Sequence, residues 1–261
     1  MNKKEIVHLA TNIYEEALTA ASYWHIINQY HVNVQKYNDE MNYSPAFYQV
    51  IYQALVESLF MNLAKIYDSD NESLTIRTLL SEITMVSAED FAKCVAEAYS
   101  FCGSKFQHRL KPEEECFFKK EVDEKHSICE ALGFDYIFTE VELSFEDLIV
   151  FYTKKLHSIN PSIKNLINQR NKIYAHNDRN TNFEFEAIHK ASPIKKEDAE
   201  ALIETALDIS CFCIEILTGV SKARDYININ DWEASLEMIK IGAQYQETYL
   251  ESISEQEEDV L

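Results

Sequence analysis

The chain has 261 residues, 46% of them hydrophobic, with only four glycines, four prolines and a formal net charge of −20. The length suits one large domain or two small ones. So few turn residues argue against a β-rich fold and for long helices with few connections, and the acidic balance excludes a protein that coats nucleic acid by broad phosphate neutralisation.

In chain order, the first helix is expected over about Lys4–Gln35, with Ile6, Leu9, Ile13, Leu18, Tyr23, Ile26, Ile27 and Tyr30 at helical spacing. Ser44-Pro45 reads as a second start, because serine caps open amides and proline fits the first turn. That helix carries Phe47, Val50, Ile51, Leu55, Leu59, Leu63 and Ile66 before the polar run Tyr67–Asn71 closes it. A shorter helix is expected from near Ser73 through Ile76, Leu79, Leu80 and Ile83, and another from about Ser87 to Ala98. Residues 101–145 read as a helical or irregular insertion, with the acidic run Glu113–Glu115 and a break at Gly133.

Ser144 with Glu146 and Asp147 marks a new helix start. Its stripe runs through Phe151, Leu156, Ile159, Ile163 and Leu166, with Pro161 either kinking it or opening a new helix. Asn177–Asn182 reads as a loop. A strongly apolar helix follows Ser192-Pro193 and stops at Gly219. A last helix spans about Asp231–Leu250, and the acidic stretch after it is expected to fray. The six cysteines form no C-x-x-C pair, and Cys211 and Cys213 read as small core residues of the apolar helix. The first residues carry no apolar run of signal length, and no stretch is long and apolar enough to span a membrane. The expectation is a chain that does not enter a membrane and works in a reducing cytoplasm.

The chemistry-bearing span is Arg170–His176. Arg170 falls on the apolar stripe, where an unpartnered guanidinium is costly. It must line a cleft, pair with an acid or face an interface. His176 lies six residues on, about 120° around an ideal helix and about 9 Å along it. The two groups therefore meet only if the chain turns back after the helix, or if a two-fold axis brings two copies of the helix end together. Between Phe151 and Asn180 there are six Lys or Arg (Lys154, Lys155, Lys164, Arg170, Lys172, Arg179) against one acid, Asp178. Such a basic island would focus a polyanion on an otherwise repelling body. A never-titrating guanidinium to hold phosphate and a near-neutral imidazole to move protons suffice to cleave RNA through its own 2′-hydroxyl. No metal set and no cofactor is indicated. The bland alternative is that Arg170 and His176 are cations closing a helix C-terminus. Asp68 closes a helix three residues after Lys65, so a local ion pair is one reading and a supporting role near the motif the other.

Arg170, Asn171 and His176, with four residues between the last two, resemble the arginine-to-histidine motif of the HEPN superfamily. The span Arg170–Asp178 looks like its AbiU2-type branch, named for a phage abortive-infection protein. Leu63-Ala64-Lys65-Ile66-Tyr67-Asp68, followed by Ser73-Leu74 and Leu79-Leu80, looks like the same branch. The resemblance covers about Ser44–Leu217 and implies an all-α, antiparallel helical bundle; the residues themselves read as a single domain over 1–250 with an insertion at about 101–143 and an acidic flexible tail over 251–261. The resemblance implies a metal-independent endoribonuclease of phage defence or toxin type, with Arg170 and His176 catalytic and Asn171 their polar companion. Lys172, Tyr174 and Asp178 are further candidates for substrate binding. The implied partners are RNA, a second copy of the chain, and a separate antitoxin or defence-system protein. A non-catalytic module that binds RNA, a nucleotide or a protein is the alternative.

Overall fold

The computed structural model describes residues 1–68, 74–87, 90–92, 104–106, 141–143, 145–174, 190–224 and 231–258. The fold is all-α. Its helices are α1 (Lys3–Asn33), α2 (Asn38–Met41), α3 (Pro45–Tyr67), α4 (Ile76–Ile83), α5 (Phe145–Ser158), α6 (Asn160–Gln169), α7 (Lys196–Thr218) and α8 (Asp231–Glu258), with a π-helical turn at Arg170–Tyr174. Two three-residue strands, β1 (Ser104–Phe106) and β2 (Val141–Leu143), pair antiparallel with Lys105 opposite Glu142. They join the two ends of the stretch expected to be a helical or irregular insertion. Three residues are too few for a period of two to be read from sequence.

Two compact units divide the chain: Met1–Ala17 with Met61–Arg224, and Leu18–Phe60 with Asp225–Leu261. In the first, α7 packs against α4, α5 and α6. Its apolar residues recur so densely that Leu202, Ala206, Ile209, Cys213 and Ile214 are all buried. Burying each large aliphatic side chain contributes about 1.5–3 kcal/mol. α4 adds Ile76, Leu79 and Ile83, all fully buried. The Asp198 carboxylate accepts the Lys195 backbone N–H at 2.9 Å and the Ser162 hydroxyl at 2.5 Å, tying the first turn of α7 to that of α6. α7 ends at Gly219, whose φ of 72° suits a residue without a Cβ, and whose N–H bonds the Glu215 carbonyl at 2.7 Å.

Pro161 opens α6 rather than kinking one long helix, with Ile159 as the residue before the new first turn. α4 starts at Ile76, and Thr75 before it is extended. The helix expected over Ser87–Ala98 lies mostly outside the described residues, as do the loop Asn177–Asn182 and the interior of the insertion. In the second unit, Tyr37, Met41 and Leu236 form a buried cluster with Tyr30, Val34, Tyr48, Trp232 and Ile239 against it. α8 runs to Glu258, eight residues into the stretch expected to be a flexible tail. Its glutamates and glutamine there have high helix propensity.

Candidate functional site

The site is built from the end of α3, the end of α6 and the turn that continues α6. Tyr67, the last residue of α3, is buried and its hydroxyl donates to the Leu202 carbonyl of α7 at 2.5 Å. Burial pushes that hydroxyl well above its ordinary pKa, and the Asp208 carboxylate adds to the shift. The phenol therefore stays a neutral donor. This clamp fixes the point where α3 stops, and Asp68 is the next residue. On the other side, Gln169 is buried and its amide donates to the Ser192 carbonyl, anchoring the last turn of α6. Its Oε1 is buried with no partner among the described residues.

Arg170 follows, at the first position of the π-helical turn. Its backbone keeps helical angles and its N–H still bonds back to Ile167 and Leu166. A π-turn closes i→i+5 hydrogen bonds, so the angular steps of an ideal α-helix stop applying after Gln169. Such single turns are rare, and they occur frequently at functional sites. The Arg170 Nη2 donates to Asp68 Oδ2 at 2.7 Å, with the two side chains 22% and 25% exposed. Of the three fates open to a guanidinium on an apolar stripe, pairing with an acid is the one observed. The acid comes from 102 residues away. Asp68 does not serve Lys65, which instead contacts Glu16 at 3.1 Å. The Arg170 Nε is buried without a partner among the described residues. One Nη donor is spent on Asp68 and Nε is enclosed, so the remaining Nη hydrogens are the ones an incoming anion can meet.

Asn171 and Lys172 are exposed on the same turn. Arg170, Asn171 and Lys172 are thus brought together at one helix end. The backbone of Tyr174 completes the turn; its side chain, and the whole of His176 and Asp178, lie outside the described residues.

The basic island of the sequence is partly neutralised by acids from other elements. Lys155 pairs with Asp208 of α7, and Arg224 pairs with the other oxygen of the same carboxylate at 2.5 Å. Asp208 is buried, 7% exposed. Sequence reasoning missed this junction. The available signal was an acid inside an otherwise apolar run, Ala206-Leu207-Asp208-Ile209, which signals a partner elsewhere in the fold. Lys164 and Lys172 remain exposed, so the island keeps positive charge next to Arg170.

Among the described residues no helix is long and apolar enough to cross a membrane. Comparison with curated proteins and with solved structures gave no match. The HEPN family described as AbiU2 matches residues 3–234, which takes in α1 to α7, the Arg170 turn and the first residues of α8. The chain belongs to the AbiU2 family, an abortive-infection branch of the HEPN superfamily.

Proposed function

We propose that this HEPN module is a metal-independent endoribonuclease in which Arg170 holds the scissile phosphate. The observation that carries the reading is the guanidinium itself. It is half-buried, fixed on Asp68, and set at the first residue of a π-turn with two of its chain neighbours exposed. A pre-positioned guanidinium stabilises charge as it builds on phosphate oxygens, and costs no reorganisation during reaction. In this reading the 2′-oxygen attacks the adjacent phosphorus, and the bond from phosphorus to the 5′-oxygen breaks. His176 transfers a proton, Asn171 orients the imidazole or the phosphate, and Lys172, Tyr174 and Asp178 contact the RNA. The products are a 2′,3′-cyclic phosphate and a 5′-hydroxyl. Asp68 is a positioning residue that acts through Arg170. The reading includes a second copy of the chain, so that two motifs share one groove, and a separate antitoxin or defence-system protein that restrains it.

A second reading has its own observation. The chain carries a net charge of −20, and two cations of the basic island, Lys155 and Arg170, are already paired with acids. Both features favour a binding module of modest RNA affinity over a general nuclease. The two readings part in an assay of purified protein with structured and single-stranded RNA in excess chelator. Catalysis predicts cutting by wild type and a loss of about 10²–10³-fold in Arg170→Ala, with His176→Ala also impaired by about 10²-fold or more. Binding by all three proteins with no cutting by any supports the module.

A further inference from the structure

Within the first compact unit, α1 and the last turn of α3 line a cleft of about 320 Å³. That size lies within the range of small-molecule sites, about 300–1,000 Å³. From α1 come Glu5, Leu9, Asn12 and Glu16, at steps of four, three and four that keep one helix face, with Ile13 beside them. From α3 come Lys65 and Ile66, and Leu74 joins them ahead of α4. Leu9, Ile13 and Ile66 are only 2–4% exposed, so the floor is apolar, while Leu74 is 62% exposed at the rim.

The polar groups around this floor decide what it accepts. Each cation there is already bonded to an acid. Lys65 Nζ donates to both oxygens of Glu16, at 3.1 and 3.4 Å. The Met1 ammonium donates to Glu82 at 2.5 Å, and Glu5 acts on it only at longer range. Glu5 accepts the Asn2 backbone N–H on Oε2 at 2.8 Å, and its Oε1 takes no bond among the described residues. The Asn12 amide nitrogen faces the His8 ring at 3.4 Å, which leaves its carbonyl oxygen as an acceptor. What remains is acceptor capacity and one carboxylate without a bonded cation. An anionic ligand would meet Glu5 and Glu16 with no free donor to hold it. An apolar body ending in one ammonium or guanidinium satisfies floor and rim together.

We propose that the cleft binds a small organic cation, its hydrocarbon or aromatic body on Leu9, Ile13 and Ile66 and its charged end on Glu5 and Asn12. The occupant rests against the last turn of α3, and Asp68 is the residue after that turn. It therefore steadies the helix end from which Asp68 holds Arg170, without touching either. Binding here does not depend on the nuclease reading.

Isothermal titration calorimetry of the full chain with 2-phenylethylamine tests it, beside 2-phenylethanol and phenylacetate, which make the polar end neutral and negative. The amine binds one site with a dissociation constant of about 1 mM or tighter, the alcohol about tenfold more weakly, and phenylacetate not at all. Glu5→Gln still accepts the Asn2 N–H, so it keeps the helix start. It lowers the amine to the affinity of the alcohol and leaves the alcohol unchanged, whereas general attraction of cations to an acidic chain would survive it. At about ten times its dissociation constant the amine slows amide exchange in the last turn of α3 by about tenfold, because openings that destroy the site are opposed by mass action. No saturable binding of the amine overturns the proposal, as does phenylacetate bound as tightly as the amine, or an amine affinity unmoved by Glu5→Gln. Unchanged exchange in that turn overturns the link to the end of α3.

Discussion

Arg170 and Asp68 form the most informative pair in the molecule. Each is about a quarter exposed, and the bond joins the end of α3 to the turn after α6. Asp68→Asn removes the charge while keeping the shape. It releases the guanidinium from its fixed direction, and we expect cleavage to fall by about tenfold and stability by about 1–2 kcal/mol. A rise in cleavage would mean that Asp68 competes with phosphate instead of aiming Arg170. At Asp208, the carboxylate is buried and serves two cations, Lys155 and Arg224. Asp208→Ala strands both, and a loss of about 2–4 kcal/mol is expected in urea unfolding. A loss under about 0.5 kcal/mol, the size of an ordinary surface change, would show the junction to be ornamental.

At the scale of elements, α8 is held by a small polar cluster whose strength follows pH. Lys36 bonds the Tyr37 hydroxyl at 2.6 Å and Glu233 at 3.0 Å, and the same hydroxyl donates to Glu237 at 2.5 Å. The Lys36 hydrogen bond lowers the Glu233 pKa, and the Tyr37 hydroxyl lowers that of Glu237. Carboxylates depressed in the folded state stabilise it above their unfolded pKa, and the gain is lost as pH falls through the folded value. The Lys36 ammonium is shifted the other way, upward, by its bonds to Tyr37 and Glu233. Its contribution is present below the unfolded lysine pKa and is lost only as pH rises beyond it. Docking of α8 should therefore hold through neutral pH and loosen below the ordinary carboxylate range. The fluorescence of Trp232, on the first turn of α8, follows this, and Glu237→Gln should flatten the acid limb. An acid limb unchanged in that variant would remove Glu237 from the account.

Much of the helical order was legible. Pro45 opens α3, Gly219 stops α7 and Asp231 starts α8, because each of these residues carries a backbone or capping preference that acts locally. The π-turn was not, since five residues with an altered hydrogen-bond register leave no period to read. For Arg170, pairing with an acid was one open reading and a supporting role for Asp68 near the motif another, but the bond that joins the two was not legible, nor was the partner of Lys155. Both acids lie far along the chain, so charge counted within a window overstated the free positive charge around the motif. The candidate residues Arg170, Asn171 and Lys172 were singled out by spacing and resemblance, and they lie on one π-helical turn. The reason Arg170 can sit on a buried stripe was visible only once Asp68 was in place.

At the scale of the whole molecule, the proposed function sets an acidic chain with a partly neutralised basic island against a polyanion. Few phosphates can be neutralised at once, so log affinity against log salt should have a shallow slope, about −1 to −3 for single strands. A slope steeper than about −5 would require a basic surface larger than Arg170, Lys172 and Lys164 provide. The central claim is that Arg170 serves a transesterification of RNA. End-group analysis tests it most directly: a single-stranded RNA and its counterpart with one 2′-deoxy residue at the cut position, incubated in excess chelator with wild type and with Arg170→Ala. The account predicts a 2′,3′-cyclic phosphate and a 5′-hydroxyl from wild type on the all-ribose strand, with no cut at the deoxy position and almost none by the variant. Cutting at the deoxy position, or a 5′-phosphate on the product, would contradict it.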